Sequence, residues 1–151
     1  MGFKIRRASK QDFESAYDLV GHLGYPNLNR ELFKRVYESV LDHPDMIVLV
    51  AESDSGNIIG LESISLRPQI RLAGLLATID ELVVAETARG QGIGRALLNE
   101  AKAVTKRIAE ENQLSLRLQL ETNRSRESYL REFYVKNGFK EADSAIMRFA
   151  G

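Results

Sequence analysis

Three glycines, Gly90, Gly92 and Gly94, lie in the stretch Ile79-Asp80-Glu81-Leu82-Val83-Val84-Ala85-Glu86-Thr87-Ala88-Arg89-Gly90-Gln91-Gly92-Ile93-Gly94-Arg95-Ala96-Leu97-Leu98, where a strand pattern gives way to a long amphipathic helix pattern. That spacing suits the binding of a phosphate. The first amides of a helix have no partner within it and carry the positive end of its dipole, so they attract an anion. Glycine leaves no Cβ to hold a bulky pyrophosphate away from them. A Walker-type phosphate loop would continue with Gly-Lys-Ser/Thr, but Gly94 is followed by Arg95-Ala96. A Rossmann fingerprint beginning at Gly90 would need a small residue at position 95 and would occupy the first strand of its fold. Neither nucleotide pattern fits.

Composition narrows the setting. At 151 residues the chain reads as one domain, 1–151, with 44% apolar and 28% charged residues, as in a soluble globular protein. Lys plus Arg and Asp plus Glu are 21 each, so no global field draws it to nucleic acid or lipid. There is no cysteine to act as nucleophile, disulfide or thiolate ligand, and His22 and His43 lack zinc-ligand spacing, so no metal is expected. The N-terminus has no apolar signal region, and no run approaches the roughly 18 residues of a membrane span. A cytoplasmic protein, with no membrane or nucleic-acid partner, is expected.

The glycine turn needs elements to hold it. Phe3 to Ala8 alternates like a strand, and Ser9 with Asp12 three residues on marks a helix start, followed by the stripe Phe13, Ala16, Tyr17 and Val20. Asn29 caps a second helix, whose Leu32, Phe33, Val36, Tyr37, Val40 and Leu41 repeat up to His43-Pro44. Strands over 46–52 and 58–66 flank the turn formers Ser53 to Asn57 and read as a hairpin. A loop over 68–74 then leads to a strand over 75–84. The long helix runs from Ile93 to about Asn112. Leu114, Leu116, Leu118 and Leu120 alternate with polar residues and form a strand with one apolar face. A short helix carries Tyr129, Leu130, Phe133 and Tyr134 up to Gly138, and strands over 139–141 and 145–149 close the chain. The order is β-α-α-β-β-β-α-β-α-β-β: an α/β (α+β) fold with a mixed central sheet of six to seven strands and about four helices.

Arg89, Gly92 and Gly94 satisfy the pattern Arg/Gln-x-x-Gly-x-Gly/Ala. With the flanking Ile-Asp-Glu-Leu-Val-Val and Arg-Ala-Leu-Leu, it resembles the acetyl-CoA motif of the GNAT superfamily of N-acetyltransferases. The element order resembles that fold across nearly the whole chain. Phe133-Tyr134-Val135-Lys136-Asn137-Gly138-Phe139 looks like the aromatic-tyrosine-to-glycine-phenylalanine block near the C-terminus of these enzymes.

The resemblance implies roles. Backbone groups of Leu82, Val83 and Val84 would pair with the pantetheine arm of acetyl-CoA (coenzyme A), and the amides of Gly90, Gln91, Gly92, Ile93, Gly94 and Arg95 would hold its pyrophosphate. Arg89 and Arg95 would add positive charge. Tyr134 matches the usual proton donor to the departing thiolate. Glu81 would sit where the cofactor arm splays two strands, with Glu121 as the other candidate base. Gln119 cannot be a base, stands where look-alikes often carry Glu, and becomes a substrate contact.

The stretch Glu121 to Glu127 resembles the Thr-Asn-x-x-Arg loop of a GNAT subgroup that includes aminoalkylphosphonate N-acetyltransferase. There Asn123 would bind cofactor, and Arg124 or Arg126 would grip a phosphate. Tyr25, in the break between the first two helices, would line the acceptor cleft. The implied activity is direct acetyl transfer, in a ternary complex, to a primary amine of a small molecule. The same residues fit two other readings, a protein or peptide N-acetyltransferase and a non-catalytic acyl-CoA-binding module. Look-alikes commonly dimerise, which implies a homodimer.

Overall fold

Where the hydrophobic period is two, the chain builds one sheet in the computed structural model, which describes residues 2–24 and 27–151. Tyr25 lies outside the described residues. The strands are β1 (Phe3–Arg7), β2 (Met46–Ser53), β3 (Ile58–Gln69), β4 (Gly74–Val84) and β5 (Ser115–Leu120), side by side in that order. β1 to β4 pair antiparallel and β5 joins β4 in parallel. β3 runs further than the sequence suggests, through Pro68 to Gln69. Pro68 lacks an N–H, but β2 pairs with β3 only as far as Ser65, so the missing donor breaks no β2–β3 ladder bond.

Helical period builds the two covering layers. α1 (Phe13–Gly21) and α2 (Arg30–Asp42) lie on one face, and α3 (Ile93–Glu111) on the other. The Asn29 side chain accepts from the Leu32 amide at 2.9 Å, as an N-cap should. Phe13, Tyr17, Phe33 and Tyr37 stack between α1 and α2 with ring centroids 5.3 to 6.2 Å apart. Phe13, Ala16, Leu19 and Tyr37 then join Val48, Val50, Leu61 and Val83 of the sheet in one buried cluster. Tyr37 donates its hydroxyl to the Ser9 carbonyl at 2.7 Å, and Arg6 grips Asp12 through two bonds of 2.8 and 2.9 Å. These contacts fix both helices over the first strands. No helix among the described residues is long and apolar enough to cross a membrane.

The chain divides into two compact units, Met1–Glu121 and Thr122–Gly151. In the second, the single helix expected around Tyr129 to Tyr134 is two turns, α4 (Glu127–Leu130) and α5 (Phe133–Lys136). Glu132, at φ 58°, takes the left-handed conformation and separates them. Gly138, at φ 93°, ends α5 as expected, and its amide bonds back to the Val135 carbonyl at 3.1 Å. The strands expected over 139–141 and 145–149 do not form, so among the described residues the sheet has five strands rather than six or seven, and the split at Glu132 makes five α-helices rather than four. An isolated hairpin of two such short segments is at best marginal in water, and here Ile146, Met147 and Phe149 stay 60, 89 and 95% exposed.

Candidate functional site

The two faces of the sheet set the site. Side chains two apart on a strand share a face, so Ser63 and Ser65 lie on the face of Leu61, which α1 and α2 cover. Gly60, Glu62 and Ile64 point the other way: a Cβ on Gly60 would meet Ile93 and Leu97 of α3.

Across the strands the register places Val48, Ser63 and Glu81 in one row, and Met46, Ser65, Thr78 and Gln119 in the next. Between the rows the β3–β4 ladder slips. Ser63 pairs with Glu81 while Ile64 pairs with Ile79, so Asp80 is an extra residue, a β-bulge. A regular strand would send Asp80 and Glu81 to opposite faces, yet Asp80 hydrogen-bonds Ser65, on the face that Glu81 shares. The bulge therefore gathers two carboxyls and two serine hydroxyls on one face of the sheet.

The strands separate at the same point. β5 ends at Leu120, beside Ile79, whereas β4 runs on to Val84. Among the described residues, Leu82, Val83 and Val84 pair with β3 alone and have no strand on their other edge. Their backbone groups on that edge are placed to pair with an extended amide-bearing ligand.

The glycine turn lies just beyond. Gly90 and Gly92 hold φ of 79° and 82°, in the left-handed region, and a Cβ on either would meet nothing within 4 Å. Gly92 is the N-cap of α3, and the first helical bond runs from the Ala96 amide to the Gly92 carbonyl at 3.0 Å. The amides of Ile93, Gly94 and Arg95 therefore have no partner in the helix, no side chain caps them and no acid stands in the first turn. A phosphate fits this cradle. Ile93 is 1% exposed, so only its backbone is available to a ligand, while Arg89, Gln91 and Arg95 are exposed.

On this face of the sheet the electrostatics single out Glu81. Burial, with the nearby charge of Asp80 adding to it, pushes its carboxyl up to about 7. Asp80, the more exposed of the two, is also raised by desolvation, against the opposing hydrogen bond from Ser65. Gln119 is exposed on the same face, and Glu121 is exposed one residue past the end of β5. Ser63 Oγ is buried and has no hydrogen-bond partner among the described residues.

In the second unit Tyr134 packs edge-on against Phe133 and Phe139, with centroids 5.1 and 6.2 Å away. Asn123 accepts from the Ser125 amide at 2.8 Å and from its hydroxyl at 2.7 Å, so its oxygen shapes the loop. Arg124 pairs with Glu141, which also accepts from Tyr129 at 2.8 Å.

Ser63, Ser65 and Asp80 are the site residues that the sequence reading passed over. The available signal was Asp80-Glu81, two acids in succession inside an otherwise largely apolar strand. An isolated serine in a strand carries no such mark.

The geometry defines a class. The chain belongs to the GNAT acetyltransferases: residues 44–141, more than half of it, match the family's acetyltransferase (GNAT) domain. It is accordingly an N-acetyltransferase, and acetyl-CoA is the donor that this family uses. A particular relative is the aminoalkylphosphonate N-acetyltransferase of Salmonella typhimurium, 28% identical over 139 residues, which span 92% of this chain and 86% of that one. Two solved structures share the fold. Glucosamine-6-phosphate N-acetyltransferase from Arabidopsis thaliana is 22% identical, with a TM-score of 0.79 over 99% of both chains. A protein described as a transcriptional regulator from Bacillus halodurans is 24% identical, with a TM-score of 0.79 over 98% of this chain and 100% of that one.

Proposed function

We propose that this protein transfers acetyl directly from acetyl-CoA to a primary amine of a small molecule, with the whole chain acting as one catalytic domain and Glu81 as general base. The observation that carries the reading is the position of Glu81, at the bulge where β4 parts from β5, with its carboxyl held near neutrality.

The open edge of Leu82, Val83 and Val84 would hold the pantetheine arm. The amides from Gly90 to Arg95 would hold the pyrophosphate, with Arg89 and Arg95 adding charge at the rim. Bound there, acetyl-CoA supplies an activated acetyl group as a thioester, and its transfer to nitrogen leaves a thiolate. Glu81 takes the proton from the amine, which must be neutral to attack. A base with a pKa near the working pH is both deprotonated often enough and strong enough for the task. Tyr134 is the residue we assign to protonate the departing sulfur. Glu121, exposed beyond the end of β5, is the less suitable base, and Gln119 is a substrate contact on the same face as Glu81.

The relative that acts on aminoalkylphosphonates supports a small amine carrying an anionic group. Thiol release from acetyl-CoA against aminoalkylphosphonates, polyamines, aminoglycosides, amino acids and a lysine peptide tests the reading. Turnover with a small amine and none with the peptide is expected. Turnover with the peptide alone would make it a protein acetyltransferase, and tight acetyl-CoA binding with no turnover a binding module.

A further inference from the structure

Ser63 stands directly across the β3–β4 ladder from Glu81, where opposed Cβ atoms lie about 4.5 to 5.5 Å apart. It is 6% exposed, and its hydroxyl has no hydrogen-bond partner among the described residues. Buried hydroxyls are rarely left so, because desolvation without a partner costs about 1 to 3 kcal/mol. Its neighbour in the row on the β2 side is Val48, which has no polar side-chain atom to offer. On the other side is Glu81, and beyond the bulge Asp80 is already engaged with Ser65. None of these neighbours among the described residues supplies the partner Ser63 lacks, and its hydroxyl lies in the row where Glu81 waits for a proton. A polar site between two groups not in direct contact is where a bridging water belongs.

We propose that Ser63 is a positioning residue of the transfer, its hydroxyl holding, together with Glu81, the water through which the acceptor nitrogen passes its proton. The water donates one hydrogen to the Glu81 carboxylate and the other to Ser63 Oγ, which turns its lone pair towards the amine. As nitrogen gives its proton to the water, the water gives one to Glu81 and is left unchanged. This rests on Glu81 being the base, and the experiment separates the two claims.

Ser63→Ala and the near-isosteric Ser63→Cys remove the strong hydrogen-bonding group without removing a protein contact, so neither should lower the melting temperature. With whichever of spermidine, kanamycin and 2-aminoethylphosphonate the wild type acetylates fastest, kcat is expected to fall about tenfold while KM for both substrates stays within twofold. The loss should vanish in the Glu81→Gln background, because the relay then has no terminus. In the free enzyme, carboxyl NMR of Glu81 should show its titration moved upward by Ser63→Ala, since the water that donates to the carboxylate loses its anchor on Ser63 and with it its place beside Glu81. An unmoved titration, unchanged kcat, or a loss that persists in full beside Glu81→Gln overturns the role of Ser63. A Glu81→Gln enzyme that keeps wild-type turnover overturns the base instead.

Discussion

Gly60 of β3 lies so close beneath Ile93, the first residue of α3, that a Cβ there would stand 3.0 Å from Ile93 Cγ2 and 3.2 Å from Leu97 Cδ1. The missing side chain lets the start of the helix rest on the strand, and so fixes the height of the first-turn amides above the sheet. Gly60→Val should overpack this contact and lower stability by about 1 to 3 kcal/mol. It should also weaken acetyl-CoA binding, because the amides move with the helix. Thermal melting and isothermal titration with acetyl-CoA check both, and an unchanged dissociation constant would uncouple the cofactor cradle from this contact.

Glu62, next along the same face as Gly60, is fully buried, with neither carboxyl oxygen paired among the described residues. Burial, with the charge of Glu100 adding to it, pushes it up to about 9. The folded state thus binds a proton that the unfolded chain releases near pH 4.5, so stability is greatest below that value and falls as pH rises towards 9. Glu62→Met keeps the volume without the carboxyl. It should melt higher than the wild type by a margin that is small at pH 4 and grows steadily as the pH rises to 8. A margin independent of pH would show that Glu62 does not titrate between these limits.

Tyr134→Phe removes one oxygen from a ring packed against Phe133 and Phe139. Acetyl-CoA affinity and melting temperature should hold while kcat drops roughly 10²-fold or more, in keeping with the loss of a general acid. Steady-state kinetics beside titration with acetyl-CoA checks this, and wild-type turnover would remove Tyr134 from the chemistry.

Local signals carried much of this. The capping of α2 by Asn29, the change of period at Met46 and the glycines before α3 each follow from a few neighbouring residues. What escaped depends on partners distant in sequence. Pro68 stays in β3 because β2 stops short of it. The bulge at Asp80 shows only once β3 is laid beside β4, and it alone puts Asp80 on the face of Glu81. Ser63 and Glu62 are neighbours in one strand, and only the placement of α1 and α2 on one face and α3 on the other decides what each meets. The closing strands expected at 139–141 and 145–149 gain no ladder. A segment able to extend still needs a partner to pair with.

The central claim is that Glu81 is the base, and the pH dependence of kcat/KM tests it most directly. With its carboxyl held up to about 7, the wild type should gain activity through a single ascending limb centred near pH 7. Glu81→Gln should lose about 10²-fold or more at the plateau, lose that limb, and bind acetyl-CoA as before. An ascending limb near pH 7 that survives in Glu81→Gln at comparable rates would contradict the account.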